Sequence, residues 1–201
     1  MKAPPRAVAQ GVTVALAALP AVVLGVRAAT RGLGANPIEE ITHVTGEWTL
    51  RWLLLTLAVT PARRWLGWAW LAPLRRTAGL AAFSWACLHL LTWLVLDQAF
   101  DLEAIAEDLT DRRFITAGMA GFLCLLPLAI TSTRGWLKRL GPRWQTLHRL
   151  AYLAALCGIV HFVWLVKADL LSPLIHAALL TALLAARWRP PRPRVPEAAG
   201  S

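Results

Sequence analysis

The sequence lacks the short motifs that mark hydrolytic and nucleotide-using enzymes. It contains no nucleophile motif, no paired carboxylates within an apolar stretch and no glycine-rich phosphate loop, so nothing in it indicates hydrolysis. Cysteine is also rare. Cys87, Cys124 and Cys157 each fall deep within a predicted helix, where burial of a small side chain explains them better than disulfide bonding does.

Long apolar stretches dominate the chain instead. Hydrophobic residues make up 57% of the 201 residues, and the mean hydropathy of +0.53 is too high for a soluble domain of this size. The pattern predicts an all-α, integral membrane six-helix bundle over residues 1–187, with no separate soluble catalytic domain. Its spans are predicted near residues 10–26, 41–60, 77–96, 114–130, 143–167 and 170–186. The proline-rich tail, 188–201, is expected to be disordered.

The first apolar run has a second interpretation. Lys2 and Arg6 precede it, and a basic start followed by an apolar stretch also describes a secretory signal peptide. The run is long for the apolar h-region of a signal peptide and shows no clear cleavage box, so a retained first helix is preferred.

Acidic residues are unevenly distributed between two sets of segments that alternate along the chain. The N-terminus, the loops after the second and fourth helices and the tail hold fifteen basic residues and one acid, Glu197. The remaining segments hold six basic residues and ten acids. Because positive residues favour the cytoplasm, both termini are predicted to be cytoplasmic, with six crossings of the lipid bilayer. The net charge of +10 is therefore a topology signal, and no nucleic-acid partner is expected.

Two histidines within predicted spans indicate a cofactor site. His89 lies about 10 Å and His161 about 9 Å from the outer end of its helix, at 1.5 Å per residue. Ionisable side chains in the bilayer are costly unless they have a partner, and two neutral imidazoles at one depth suit the axial ligation of haem iron. His176 reaches a similar depth and is a competing ligand, although a hydrogen bond to a backbone carbonyl would also account for it.

His148 is predicted to belong to a different site. It precedes His161 by thirteen residues, which is about 20 Å along a helix and about 140° around it, so one metal cannot bind both. A second haem, a quinone or a flavin is the candidate partner of His148, but the residue thirteen before His89 is not a histidine. The electron-donor side is expected near the group Arg76, Trp144, His148 and Arg149. An aromatic belt at the membrane boundary is the alternative explanation for Trp144.

The second predicted helix begins with an unusually polar face. It follows a segment expected to be irregular, 27–40, and is expected to stop before Pro61. His43, Glu47 and Arg51 recur at intervals of four residues and therefore share one face. This face is either an interfacial helix end with a Glu–Arg pair, or a polar edge of the cofactor site at which Arg51 binds a haem propionate.

Several segments resemble one membrane-protein family. RRTAGLAAFSWACLHLLTW, LAITSTRGWLKRLGPRWQTLHRLAYL, IVHFVWLVK and GANPIEEITHVTGEWTLRWLLLTLAVTP look like the haem-binding membrane subunits of the bacterial MsrPQ protein-methionine-sulfoxide reductase system, the MsrQ (YedZ) family. That family is similar to the transmembrane domains of ferric reductases and NADPH oxidases, which hold b-type haem between histidines of helices three and five. The resemblance covers nearly the whole chain apart from the tail.

The resemblance implies a b-type cytochrome of the bacterial inner membrane. It would take electrons from the quinone pool, with FMN as an associated cofactor, and pass them to MsrP, a periplasmic molybdopterin enzyme that reduces methionine sulfoxide in proteins. By position, His89 and His161 match the haem ligands, His148 a further functional histidine and His43 a histidine of the ITHVTG segment. Arg76 stands where larger relatives have a second ligand on helix three.

Two other functions remain open from the sequence. A stand-alone metalloreductase would reduce external ferric chelates, but no cytoplasmic NADPH/FAD domain is expected after the sixth helix. A non-redox membrane anchor or small transporter would use its histidines to relay protons, and it would be colourless.

Overall fold

The fold is known from a computed structural model that describes residues 4–166 and 169–187. Within these residues the chain is helical and contains no strand, so the all-α prediction is confirmed. The α-helices are α1 (Arg6–Thr30), α2 (Pro37–Leu66), α3 (Leu74–Leu91), α4 (Leu102–Asp111), α5 (Arg113–Ile130), α6 (Arg134–Leu140), α7 (Pro142–Leu147), α8 (Leu150–Leu165) and α9 (Leu171–Ala185). A 3₁₀ turn, Ala69–Leu71, precedes α3, and a π-helical turn, Thr92–Asp97, continues it. The tail predicted to be disordered lies outside the described residues.

The bundle is built from two closely packed helix pairs. α2 packs most extensively against α3, and α5 against α8, whereas contacts between the two pairs are far fewer. α9 bridges the pairs by contacting both α2 and α8. α1 packs on α3, where the indole nitrogen of Trp85 donates to the carbonyl of Ala17 at 3.0 Å. The apolar core lies where α2, α3, α5 and α8 meet.

Four helical segments are long and apolar enough to cross a membrane. They are Arg6–Thr30, Ala69–Asp97, Arg113–Ile130 and Pro142–Leu165. α2 falls outside this set because Glu47 and Arg51, with several Thr and Trp residues, lower its hydropathy. The 15 residues of α9 span about 22 Å, less than the roughly 30 Å hydrocarbon core. The chain is therefore a helical membrane protein, while the count of six crossings stays a prediction.

The prediction that Pro61 stops the second helix was wrong. α2 continues through Pro61 and ends at Gly67, whose φ of 69° suits a residue without a side chain. Proline cannot donate to the carbonyl four residues earlier, which here belongs to Leu57. The guanidinium of Arg187 donates to that carbonyl and also to the hydroxyl of Tyr152. The helix therefore tolerates Pro61 because a distant residue replaces the missing donor.

The ends of several other helices also differ from prediction. The irregular segment between α1 and α2 is confined to 31–36, because the Asn36 side chain accepts the N–H of Glu39 at 3.2 Å and caps α2 in front of a proline. The acidic segment after α3 contains α4, capped by Asp101 in the same way. The basic loop after α5 contains α6. The fifth predicted span is interrupted at His148 and Arg149, between α7 and α8. Lys167 and Ala168, at the predicted turn, lie outside the described residues.

The two ends of the bundle differ in charge. The acidic end comprises the beginning of α2, the π-helical turn, α4, the beginning of α5, the end of α8 and the beginning of α9. It holds all ten acidic residues of the described chain, and Arg27 bonds Glu40 there at 2.6 Å. The opposite, basic end comprises the connection from α2 to α3, the segment from α6 through α7, and Arg187. Burial lowers the pKa of the Arg187 guanidinium, which still stays protonated.

Candidate functional site

A cavity of about 530 Å³ opens between the two helix pairs at the acidic end. Its walls come from α2, α3, α5 and α8, so both pairs contribute. The volume lies within the usual range for cofactor pockets, roughly 300–1,000 Å³. His89 and His161 both line this cavity, one from each helix pair.

The orientation of His89 is set by α2. Its Nδ1 lies 3.0 Å from the carbonyl oxygen of Thr42 and 3.3 Å from the hydroxyl of Thr45. A carbonyl only accepts, so Nδ1 carries the proton and Nε2 keeps its lone pair. Gly46 makes room for the ring, because a Cβ there would lie 3.0 Å from Cε1 of His89.

His161 is held in the same manner by α5. Its Nδ1 lies 2.6 Å from the carbonyl oxygen of Phe114, so this imidazole also carries its proton on Nδ1 and leaves Nε2 unprotonated. A Cβ at Gly118 would lie 2.7 Å from Nδ1 of His161, so only glycine permits this approach of α5 to the ring. A histidine that ligates a metal usually donates its other N–H to a carbonyl or carboxylate in this way.

The two rings lie at a separation that suits a shared metal. Their centroids are 5.9 Å apart and their planes are inclined by 81°. A metal–imidazole bond of about 2 Å puts each ring centre roughly 3 Å from the metal, so two axial imidazoles need centres about 6 Å apart. Within the described residues, neither Nε2 has a hydrogen-bond partner.

This donor set fits haem better than a bare metal ion. The described residues contain no group of three or more His, Cys, Asp or Glu side chains that would hold a metal. Haem needs only axial ligands from the protein, because the macrocycle supplies the others. Two neutral imidazoles, an apolar cavity of sufficient volume and the space left by Gly46 and Gly118 therefore meet its requirements.

The rim of the cavity is polar and mainly acidic. Its ionisable residues are Glu39, His43, Glu47, Asp97 and Arg112. Arg112 was not singled out by the sequence analysis, because its position immediately before α5 resembles an ordinary topology signal. The sequence analysis did single out Arg51, but Arg51 is not among the lining residues. It pairs with Glu47 one turn earlier and lies over the ring of Trp48 at 4.9 Å.

His43 lies at the rim, where it is largely exposed. Its Nε2 is 3.9 Å from a carboxylate oxygen of Glu39. The predicted face shared by His43, Glu47 and Arg51 therefore exists, and its first two members reach the cavity while the third lies beside it.

The basic end contains a second arrangement of predicted residues. The His148 ring stacks on Trp144 with centroids 3.7 Å apart and planes inclined by 24°. Its Nε2 lies 3.1 Å from the hydroxyl of Thr131, which donates its own proton to the carbonyl of Pro127 at 2.6 Å. His148 therefore carries its proton on Nε2, the opposite tautomer to His89 and His161.

The other residues predicted at the donor side lie near this arrangement but do not contact His148. Arg76, at the start of α3, and Arg149, which follows His148, are both exposed. The indole N–H of Trp144 donates to the carbonyl of Thr131 at 2.9 Å. The structure thus brings together Trp144, His148 and Thr131, of which sequence reasoning identified the first two.

His176 lies apart from the cavity. It is 7% exposed, its Nδ1 bonds the carbonyl of Ser172 at 2.8 Å and its ring centre is 6.0 Å from that of Phe162. A hydrogen bond within its own helix accounts for this histidine, as the alternative interpretation expected.

The chain matches known proteins over most of its length. Residues 12–159 match the model of the ferric reductase like transmembrane component family. The protein-methionine-sulfoxide reductase heme-binding subunit MsrQ of Rhodospirillum rubrum is 54% identical over 175 residues, covering 86% of this chain and 83% of the relative. The chain belongs to the MsrQ family.

Other members are similarly close. The MsrQ subunit of Azospira oryzae is 54% identical over 159 residues, covering 78% of this chain and 67% of the relative. That of Deinococcus radiodurans is 49% identical over 174 residues, covering 86% of each. No solved structure matches the chain significantly. The family resemblance inferred from the sequence is therefore confirmed by relatives that match most of this chain.

Sequence reasoning missed the residues that orient the ligands. Thr42 and Phe114 act through backbone carbonyls, which carry no sequence signal. Gly46 and Gly118 lie within predicted spans, and a glycine within a span was the available signal for close approach of another element.

Proposed function

We propose that this protein is a b-type cytochrome subunit that carries electrons across the bacterial inner membrane to a periplasmic, molybdopterin-containing methionine-sulfoxide reductase. One observation carries the proposal. Two imidazoles from separate helix pairs present unprotonated Nε2 atoms to one cavity, with ring centres 5.9 Å apart. The relatives named above are protein-methionine-sulfoxide reductase heme-binding subunits by name, which supports the assignment of a haem-binding electron-transfer subunit.

In this proposal His89 and His161 are the axial ligands of haem b. When bound, haem supplies one-electron transfer, and the protein supplies ligands, orientation and a water-poor surrounding. The carbonyls of Thr42 and Phe114 keep both rings in the ligating tautomer. Because both imidazoles remain neutral ligands, neither requires a charged partner in the bilayer.

The basic end is proposed as the donor side, and its excess of positive charge supports a cytoplasmic location. A quinol, or a bound FMN, would deliver electrons near Trp144 and His148. Nδ1 of His148 has no hydrogen-bond partner among the described residues and keeps its lone pair, so it is suited to accept a proton from a quinol hydroxyl. Ligation of a second haem through Nε2 would require His148 to lose its hydrogen bond to the hydroxyl of Thr131.

The acidic end is proposed to face the periplasm and the partner subunit. The cavity that holds the ligand histidines opens there, which keeps the cofactor close to the surface that the partner contacts. Acidic residues surround this opening on α2, the π-helical turn and α4, so complementary charge on the partner would speed association.

The proposal is tested by the absorption spectrum of the purified protein in detergent. A dithionite-reduced minus oxidised difference spectrum, with a pyridine-haemochrome count, is expected to show low-spin b-type haem. His89→Ala and His161→Ala should each abolish the low-spin signal. His176→Ala is the matched control, because this histidine is also buried and has the same tautomer but lies outside the cavity.

Added imidazole separates ligand loss from misfolding. A folded His89→Ala or His161→Ala protein should regain the low-spin spectrum when imidazole enters the space left by the side chain. A low-spin spectrum retained in both variants without imidazole would overturn the ligand assignment. A colourless wild-type protein, despite expression with ample haem, would instead favour the anchor or proton-relay function.

A further inference from the structure

The cavity rim contains one cation, and its surroundings bear on how a cofactor is held. Among the described residues that line the cavity, Arg112 alone carries a permanent positive charge. The neighbouring rim carboxylates, Glu39, Glu47 and Asp97, would repel an anionic group. Among the described residues that line this rim, Arg112 is therefore the favourable partner for a carboxylate of a bound cofactor.

Arg112 is held in place by a buried carboxylate. Its Nε lies 2.9 Å from Oδ1 of Asp108, which is 6% exposed. The other oxygen of Asp108 accepts from the amide nitrogen of Gln98 at 2.6 Å and from the indole nitrogen of Trp93 at 3.4 Å. Three donors thus fix the carboxylate, and the carboxylate fixes one edge of the guanidinium.

The remaining edge of the guanidinium is unused. Asp108 takes only Nε, and within the described chain Nη1 and Nη2 of Arg112 have no hydrogen-bond partner. Two terminal N–H groups in a fixed plane match the two oxygens of a carboxylate, and such paired bonds are stronger and more directional than neutral ones. The half-exposed guanidinium can offer this fork to the cavity.

The position of Arg112 ties it to both ligand histidines. It lies two residues before Phe114, whose carbonyl orients His161. Trp93, which bonds Asp108, lies four residues after His89 and so one helical turn beyond it. The Asp108–Arg112 pair therefore links the ends of the two ligand-bearing helix pairs, directly at the mouth of the cavity.

We propose that Arg112, positioned by Asp108, anchors a haem propionate through its two terminal amino groups. This inference rests on the proposed haem site at His89 and His161 and assigns to Arg112 the role that sequence reasoning gave to Arg51. The carboxylate of Asp108 acts through Arg112 and does not itself contact the cofactor.

The test measures haem release to excess apomyoglobin from the purified, haem-loaded protein in detergent. Arg112→Gln removes the fork and should accelerate release about tenfold or more, the range expected for hydrogen bonds between charged groups. Arg112→Lys keeps the charge but lacks the planar pair of amino groups, so its rate of haem release should lie between those of Arg112→Gln and wild type. The matched control is Arg113→Gln, which alters the adjacent, exposed arginine that does not line the cavity.

Reconstitution with the dimethyl ester of haem decides whether the effect passes through a propionate. The ester has the same iron and ring but no carboxylates, so wild type and Arg112→Gln should release it at equal rates. The low-spin spectrum should persist in every variant, because the axial ligands are untouched.

Two outcomes would overturn this inference while leaving the proposed function in place. One is equal release of natural haem by Arg112→Gln and Arg113→Gln. The other is an acceleration by Arg112→Gln that is just as large with the ester. A wild-type protein that binds no haem would overturn the proposed function itself, and this inference with it.

Discussion

The guanidinium of Arg187 donates to the backbone carbonyl of Leu57, the acceptor that Pro61 leaves without its helical donor. The two residues are far apart in sequence, yet the bond lies in the core, where Leu57 is 1% exposed. Arg187 also contacts the hydroxyl and ring of Tyr152 on α8. One side chain at the end of α9 therefore completes α2 and joins it to α8.

The first prediction concerns this replacement donor. Arg187→Gln should lower the free energy of unfolding in detergent by about 1–3 kcal/mol, because a buried carbonyl loses a charged donor. In a Pro61→Ala background, residue 61 supplies the missing N–H. Arg187→Gln should then lower the free energy of unfolding by about 1 kcal/mol less than it does in the wild-type background. Thermal unfolding of the four proteins measures this coupling. Arg63→Gln, at an exposed arginine of α2, is the control and should change little. Equal costs in both backgrounds would contradict the assignment.

The second prediction concerns the glycine opposite His161. Gly118→Ala places a methyl group 2.7 Å from Nδ1, so the bond to the carbonyl of Phe114 must break or the ring must turn. We expect haem affinity to fall at least tenfold, about 1.4 kcal/mol, with a shift from low-spin to high-spin character in the absorption spectrum.

The control for that glycine is Gly79→Ala on α3. A Cβ there would meet Thr56 Cγ2 at 3.6 Å, an ordinary contact, so the spectrum and haem content should stay those of wild type. If Gly118→Ala also binds haem normally with an unchanged low-spin spectrum, close approach at Gly118 does not orient the ligand.

The third prediction concerns the tautomer of His148. Thr131→Val removes the hydroxyl that accepts from Nε2 and leaves the side-chain shape nearly unchanged. Nε2–H then loses its acceptor, so the imidazole proton is no longer confined to Nε2 and Nδ1 is no longer reserved as the proton acceptor. Reduction of the haem by a soluble quinol should therefore slow several-fold. Reduction by dithionite, which needs no proton acceptor, should proceed as in wild type.

Thr181→Val serves as the control for the loss of a hydroxyl. Its hydroxyl bonds the carbonyl of Ala177 on an exposed face of α9, away from both candidate sites. Stopped-flow traces with quinol should match wild type for this variant. A Thr131→Val protein reduced by quinol at the wild-type rate would remove His148 from the donor side.

The fourth prediction concerns orientation in the membrane. Because positive residues favour the cytoplasm, the acidic end with α4 should face the periplasm. The Glu103→Cys variant should therefore react with a membrane-impermeant maleimide in intact spheroplasts. A cysteine at Lys138→Cys on α6 should react only after lysis. The wild-type chain, whose three cysteines are free but lie on the apolar helices, provides the background signal. The reverse labelling pattern would place the cavity mouth in the cytoplasm.

The sequence allowed the pairing of His89 and His161 to be predicted because helix rise converts residue number into depth. The same argument separated His148 from them correctly, and the structure brings the first two together while His148 lies at the other end. Helix rise was sufficient for this pair because His89 and His161 each lie on a regular helix, α3 and α8.

The remainder depended on contacts between distant parts of the chain. Pro61 ends a helix unless another residue supplies a donor, and nothing near it in sequence pointed to Arg187. The sequence pattern favoured Arg51 over Arg112, because Arg51 shares a helix face with His43 and Glu47. The structure distinguishes them, because Arg51 pairs within α2 whereas the carboxylate of Asp108 holds Arg112 at the cavity. The interruption of the fifth span at His148 also follows from tertiary contacts, to Trp144 and Thr131.

The division of the bundle into two helix pairs means that a cofactor held by both histidines would join the pairs. His89 is oriented within the α2–α3 pair and His161 within the α5–α8 pair, so each pair positions one of the two proposed ligands. Haem bound by both histidines would link two helix pairs that otherwise make few contacts with each other. Its binding would stabilise the folded bundle by mass action. If haem binds as proposed, we expect cells starved of haem to contain less of this protein at steady state, because the form without haem is less stable and more open to proteolysis.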